Sequence, residues 1–291
     1  MGYHAQNINT SQKLLMSNFE YCLSQVAPNG SSLYYSCLSL AKEKKEAVVA
    51  LAAYSNTIHS IGEKYKEADV AKIKLAWWQN ELQNLANKKP QHPISITLLP
   101  YIDKFNLSIT ALLAVVEAAQ LSISVSVYQT PKELQQHYQH TGGIITALQA
   151  RVCNNGEFDA KLEKFAHYLG ISLEIVRHIY DFKFHLQRQH LYLPLSQLEE
   201  NNVVTQDIFN KPSKINLQNI FNAQAKSAYD FHKQALQILP KEHFSGQKSL
   251  RRFAKLQLKL LDTMQQDGFR MLQHQLRLSP IYKFLLTRFS R

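Results

Sequence analysis

Cysteine, glycine, proline and long apolar runs are all scarce in this 291-residue chain. The three cysteines, Cys22, Cys37 and Cys153, stand far apart with no CxxC pair, which argues against a disulfide framework or a structural zinc site. Nine glycines and nine prolines leave few turn signals, so a many-stranded sandwich is disfavoured and long helices are favoured. The longest uninterrupted apolar run, Ala47 to Tyr54, has eight residues, against the roughly 20 that a membrane-spanning helix requires. The amino terminus has no apolar h-region, and Gln6 stands where a myristoylation signal needs Ser or Thr. Scarce thiols and the missing leader predict a cytoplasmic protein.

What the chain does have is helical periodicity and positive charge. A composition 45% apolar and 19% charged supports a substantial core. The 33 basic against 22 acidic side chains give a net charge of +11, which points to an anionic partner. Nucleic acid is not the expected one, because the cations are spread through every predicted helix and no zinc finger, RRM or basic-zipper pattern is present.

Apolar residues recur at helical spacing over 9–26, 42–62, 69–87, 107–127, 159–190, 216–239 and 247–274. Asp69 reads as an N-cap, and Thr130-Pro131-Lys132-Glu133 reads as a helix start with Thr at N-cap, Pro at N1 and Glu at N3. The alternating run Ser122 to Val127 reads as the end of a buried helix, and Glu199 to Pro212 as a polar loop. A glycine inside a helix costs roughly 1 kcal/mol against alanine. Gly170 and the pair Gly142-Gly143 therefore mark close packing or kinks. With no repeat and no linker, the prediction is all-α: about ten helices in one bundle, with 1–20 as an extension or first helix and 21–291 as one domain.

Most catalytic templates are absent: no GxSxG, P-loop, GxGxxG after a strand, HExxH or EF-hand loop. One constellation stands out. Glu174, Arg177, His178, Asp181 and His185 are spaced at near-whole helical turns, so they share one stripe. On a helix otherwise rich in Ile, Leu, Val and Phe, such a stripe faces solvent, the commoner case, or lines an internal cavity, a reading that the following Leu191-Tyr192-Leu193-Pro194 raises.

The segment from Glu174 to Pro194 resembles the second aspartate-rich region of the squalene and phytoene synthase family. Gly30 to Ser36 with Glu43 to Ala47 is similar to that family's amino-terminal S-F-Y-x-S and the helix after it. Lys74-Leu-Ala-Trp-Trp78 with Pro90-Gln-His-Pro93 is similar to its K-L-x-W-W and P-x-H-P signature. Leu261 to Phe269, Ser279-Pro280 and Lys283 resemble the carboxyl-terminal region of the bacterial presqualene diphosphate synthase branch. The resemblance implies an isoprenoid-synthase fold with a central cavity. In that cavity, facing aspartates hold Mg²⁺ against departing diphosphate while two farnesyl or geranylgeranyl diphosphates are joined head to head. By position it implies Asp181 as a residual catalytic carboxylate and Ser32, Tyr35, Arg177, Arg188 and Tyr192 as diphosphate-binding candidates. Read from the residues alone, Trp77 and Trp78 are core, Tyr34 and Tyr35 are half-buried structural tyrosines, and Tyr192 caps a helix end.

The pattern departs from the family where the metal would sit. The first motif, D-D-x-x-D, falls on Ile58-His59-Ser60-Ile61-Gly62, leaving only the flanking Glu63 acidic, and the acids of the intervening helix fall at Gln120 and Ser122. Asp181 has His185 rather than a carboxylate four residues on, and Arg177 at the amide position. Asp181, Glu63 and Glu174 are the residual Mg²⁺ ligands, and His59, His178 and His185 with Asp181 form an alternative transition-metal set. The expectation is a persisting fold that has lost Mg²⁺-dependent prenyl transfer, with no cofactor. Such a protein would bind a prenyl diphosphate or other lipid-like anion in its cavity, or have that cavity merely filled, and serve a protein partner as the phytoene-synthase-like assembly factor of mitochondrial complex I does by analogy. The alternative is an active, Mg²⁺-dependent prenyltransferase forming presqualene diphosphate, squalene or phytoene at an altered site. Residues 268–291 carry Arg270, Arg277, Lys283, Arg288 and Arg291 among apolar side chains and no acid. They predict either peripheral attachment to the inner face of an anionic membrane or a packed final helix with a solvated basic edge.

Overall fold

The computed structural model describes residues 16–289 apart from 65, 66, 124, 126, 213 and 214, and without the side chains of 63 and 64. Ser17 opens α1 (Asn18–Val26) through a capping box, its hydroxyl accepting the Glu20 N–H while the Glu20 carboxylate accepts its own. Ser31 caps the single turn and a half of α2 (Ser32–Ser36). There follow α3 (Lys42–Lys64), α4 (Ala68–Ala86), α5 (Pro93–Lys104) and α6 (Ile109–Ile123). Thr130 caps α7 (Pro131–Tyr138) on the Glu133 N–H, as its sequence predicts, and α7 runs through a π turn, Gln139–Gly143, into α8 (Ile144–Cys153).

Helix α9 (Ala160–Tyr180), capped by Asp159, is the axis of the molecule. A bend at Asp181 leads to α10 (Phe182–Leu186), followed by α11 (Leu195–Glu200), α12 (Thr205–Asn210), α13 (Gln218–Ile238), α14 (Lys248–Gln266) and α15 (Pro280–Arg288). The first half of α9, Leu162 to Leu169, belongs to an apolar cluster with the Ala47 to Ile58 segment of α3. Its second half, Ile171 to Ile179, belongs to another cluster with α13 and with Leu260 to Met264 of α14. All three cysteines are free thiols buried in the first cluster. Burial raises them all, Cys22 to about 11 and Cys153 to about 12.

The glycines do what the sequence implies, by close approach. A methyl group on Gly170 would stand 2.5 Å from the Gly142 carbonyl oxygen and 2.6 Å from Gly143 Cα, so α9 and the π turn touch backbone to backbone. Neither side can move a flexible side chain aside. Gly170→Ala is expected to cost about 1–3 kcal/mol of stability, which calorimetry should register as a fall in melting temperature of roughly 2–4 °C per kcal/mol. An unchanged melting curve would show that the two helices separate freely.

Several expected boundaries change. The part of the 9–26 helix before residue 16 lies outside the described residues. Glu67, not Asp69, precedes α4, and Asp69 sits in its first turn. The segment Ser122 to Val127 is not the end of a long helix. The helix stops at Ile123, and Val127 forms a parallel bridge with Leu191, a partner 64 residues away in sequence that local periodicity could not reveal. The presumed polar loop 199–212 contains α12 and the end of α11, because Leu198 and Ile208 anchor short turns in the second cluster. The last long helix ends at Gln266, where Gly268 and Phe269 take positive φ, and the chain forms a separate helix at 280–288. Helix α5 had no forecast, being cut from its neighbours by prolines that serve as its N1 residue and an interior position. Trp78 is core, but Trp77 is 45% exposed, the opposite sides expected of adjacent helical positions.

Candidate functional site

A cavity of about 170 Å³ lies between α3, α8, α9 and α14, with Leu33 and Ser36 of α2 also on its wall. Val48, Ala52, Leu173, Leu250 and Phe253 make most of its wall apolar. An apolar cavity of about 150 Å³ takes a benzene-sized guest, so this one has the width for a hydrocarbon chain.

The ionisable part of the wall comes from His59 on α3, Glu174 and Arg177 on α9 and Asp181 at the bend after it, and Ser55, Asn56, Gln149 and Gln257 add neutral polar groups. Glu174 is buried, and its carboxylate accepts two bonds from Arg177, at 2.7 Å from Nη2 and 3.2 Å from Nε. Burial is the largest single influence and opposes its charge, but the charge and hydrogen bonds of Arg177, joined by His59 and His137, together hold the carboxyl below the ordinary glutamate range. The side chain fits only because position 142 is glycine, since a methyl group there would overlap Glu174 Cγ. The π turn and its glycine thus make room for the acid, a local irregularity of the kind that recurs at functional sites.

His178 lies 3.5 Å from the same carboxylate, yet it is neutral. Burial pushes its pKa well down, and Arg177 Nη2, 2.9 Å away, donates to its Nε2 and needs a lone pair there. The ring stacks on Tyr192 at 3.8 Å and on Tyr138 at 5.0 Å between centroids. His185 and His137 complete this aromatic box, at 4.7 and 5.6 Å from Tyr192. Burial lowers both to about 3. The space left inside is about 10 Å³, room for at most one water. Across the cavity, His59 Nδ1 donates to the Ser55 carbonyl at 2.8 Å, which leaves Nε2 as a buried bare acceptor. Burial brings its pKa down to about 4.

The stripe predicted from helical spacing therefore exists, but it runs along a boundary. Glu174, Arg177 and Asp181 face the cavity, while His178 and His185 face the aromatic box. Tyr192 does not cap a helix end, because α10 stops at Leu186 and the ring is held by its stack on His178. Ser32, Tyr35 and Arg188 are off the cavity wall: Ser32 is buried in the first turn of α2, Tyr35 packs edge-on to Phe284, and the Arg188 guanidinium lies 4.7 Å from the Phe184 ring. The Glu63 side chain lies outside the described residues. At the two other replaced positions, Gln120 accepts from Gln79 and the Ser122 hydroxyl donates to the Ala119 carbonyl. Sequence reasoning missed His137, Tyr138 and the role of Gly142, since nothing local says that α7 packs against the far end of α9.

These positions are those of a known fold. The sequence model of squalene/phytoene synthases matches residues 26–282. The chain belongs to the squalene/phytoene synthase family. It is 22% identical to the 15-cis-phytoene synthase of Synechocystis sp. over 66% of its length and 60% of that enzyme. It is 21% identical to the chloroplastic phytoene synthase of Narcissus pseudonarcissus over 76% of its length and 53% of that enzyme. It thus spans between half and three-fifths of these relatives. A dehydrosqualene synthase solved with a ligand superposes with a TM-score of 0.78 at 17% identity, covering 93% of this chain and 94% of that one. The squalene synthase of Alicyclobacillus acidocaldarius gives 0.71 at 15% identity, covering 87% and 94%. The all-α single-domain fold is the family's.

The family's chemistry implies Mg²⁺, and the donors described here do not fit it. Among the described residues no three His, Cys, Asp or Glu side chains stand together in a way that could hold a metal ion. Glu174 is engaged by Arg177, and the flanking imidazoles offer nitrogen where Mg²⁺ takes oxygen. The transition-metal set is not gathered either, because His59 lines the cavity and a small hollow with His137 and Tyr192, while His178 and His185 line the aromatic box.

Proposed function

We propose that this family member holds one prenyl or lipid chain with an uncharged head in the α3–α9 cavity and does not join two prenyl diphosphates. The observation that carries the reading is the buried Glu174–Arg177 pair beside neutral imidazoles. With that pair self-neutralised, Asp181 is the remaining acid among the described wall residues. A diphosphate carries about three negative charges, and bringing it here uncompensated by cations opposes Coulomb's law at low dielectric. An alcohol suits the site better, because its hydroxyl can donate to a bare imidazole acceptor while its tail fills the apolar wall.

Farnesol or geranylgeraniol is therefore expected to bind at least 10-fold more tightly than the matching diphosphate by calorimetry, with no Mg²⁺ dependence. Ala52→Trp, which fills the cavity from α3, should weaken binding at least 10-fold. Formation of squalene, presqualene diphosphate or phytoene from the diphosphates with Mg²⁺ at enzymatic rates would overturn the reading in favour of an altered prenyltransferase.

A further inference from the structure

Helix α15 is mounted with its apolar side outward. Ser279 caps it on the Tyr282 N–H, Pro280 lies 3.7 Å from where a Gly30 side chain would begin, and Lys283 Nζ donates to the Gly30 carbonyl at 2.9 Å. Thr287, one turn on, is buried. The helix therefore turns a cation and a hydroxyl toward the protein. Ile281, Leu285 and Phe289 point the other way, with Ile281 75% and Phe289 77% exposed, while Phe284 is half-exposed against Tyr35. Positions 281, 285 and 289 recur every four residues, so they form one edge of the helix, with Phe284 beside it. Two more exposed apolar side chains, Leu38 and Phe244, follow α2 and precede α14, the helices on which α15 packs.

Positive charge flanks this edge. Lys241, Lys248, Arg251, Arg252 and Lys255 line one surface hollow at the start of α14 that includes no acid. Helix α15 packs on α14, and Arg288 stands near enough for its charge to act on Arg252 of the hollow. Arg251 lies flat over Phe244, 3.2 Å from its ring centroid. An apolar stripe between cations is the pattern of a helix lying in a lipid interface, where side chains enter the acyl boundary and cations meet lipid phosphates. Exposed in water, the same stripe has no compensation.

We propose that the outward edge of α15 and the basic hollow of α14 form one docking face for an anionic lipid bilayer. Helix α14 connects this face to the cavity. Lys248, Arg251, Arg252 and Lys255 face the hollow, while Ser249, Leu250, Phe253 and Gln257 face the cavity, so one helix separates bilayer from cavity. The docking proposal stands whether or not the cavity takes a lipid.

Co-sedimentation of the full chain with phosphatidylcholine vesicles, with and without 30% phosphatidylglycerol, tests it. Binding to the anionic vesicles should exceed that to neutral ones at least 10-fold and should fall in 0.5 M salt. Ile281→Asp with Phe289→Asp should reduce it at least 10-fold, and Lys241→Glu with Lys255→Glu by about fivefold or more per cation, from the electrostatic attraction of each basic residue near such a surface. Because all four side chains are exposed, circular dichroism should remain that of the parent. Absence of binding to anionic vesicles would overturn the proposal, as would binding unaffected by both double variants. A concentration-dependent dimer that Ile281→Asp with Phe289→Asp dissolves, without vesicle binding by the parent, would assign the edge to a second copy instead.

Discussion

Acidification from pH 7 to about 4.5 is expected to unfold the protein. His59, His137 and His185 have folded-state values of about 4, 3 and 3, against 6.5 for a free histidine. Burial is the largest cause in each, and it outweighs Asp181, which attracts a proton to His185, and Glu174, which attracts one to the other two. A folded value below the unfolded one means that the unfolded chain binds more protons in the window between them. Stability is then fully present above pH 6.5 and drains away as the pH falls toward 4 and 3. Each such histidine contributes a slope of up to about 1.4 kcal/mol per pH unit. Acting together, they make the loss a large part of the stability of a typical domain. His178, pushed down further, adds to the slope. Thermal melts followed by circular dichroism between pH 7.5 and 4 should show a steep fall below pH 6.5. A melting temperature at pH 4.5 within about 5 °C of that at pH 7 would mean that these imidazoles are hydrated in solution.

The second large effect concerns Arg177. Removing its guanidinium leaves the Glu174 carboxylate buried with no cation, and breaking a buried pair from one side costs about 3–5 kcal/mol. Arg177→Met is expected to shift the urea midpoint down accordingly, most strongly at neutral pH where the acid is charged. The double variant Glu174→Met/Arg177→Met should recover most of the loss, because an apolar pair of similar length replaces the ions without an orphan. The unbranched side chain is chosen to respect the contact over Gly142. A single variant as stable as the parent would show that water reaches Glu174. A double variant no better than the single one would show that packing, not charge, sets the cost.

The fold was largely legible because its signals are local or semi-local. Helical spacing located α3, α4, α9, α13 and α14, and the Thr130-Pro131 start of α7 is a matter of four residues. Gly170 announced a close approach, although only the structure names its partner, the backbone of Gly142 and Gly143. The site was half legible. Spacing put Glu174, Arg177 and Asp181 on one line, and motif order identified His59 as their opposite number. It could not say that His178 and His185 turn into a separate aromatic box, because that depends on Tyr138 and Tyr192 arriving from distant segments. Nor could it say that Arg177 is spent on Glu174 three residues before it, since a one-turn ion pair and a ligand-facing cation share the same spacing. The outward edge of α15 was visible as an apolar and basic mixture, but which side faced the protein required the Lys283–Gly30 bond.

The three cysteines of the first apolar cluster make the molecule its own clock. Their thiols are buried and held protonated far above neutral pH, and only a thiolate is attacked by alkylating reagents at a useful rate. In the native state they are therefore silent, and every labelled thiol counts one opening of the core. Because Cys22, Cys37 and Cys153 lie on α1, just after α2 and at the end of α8, their relative labelling rates time the departure of each segment.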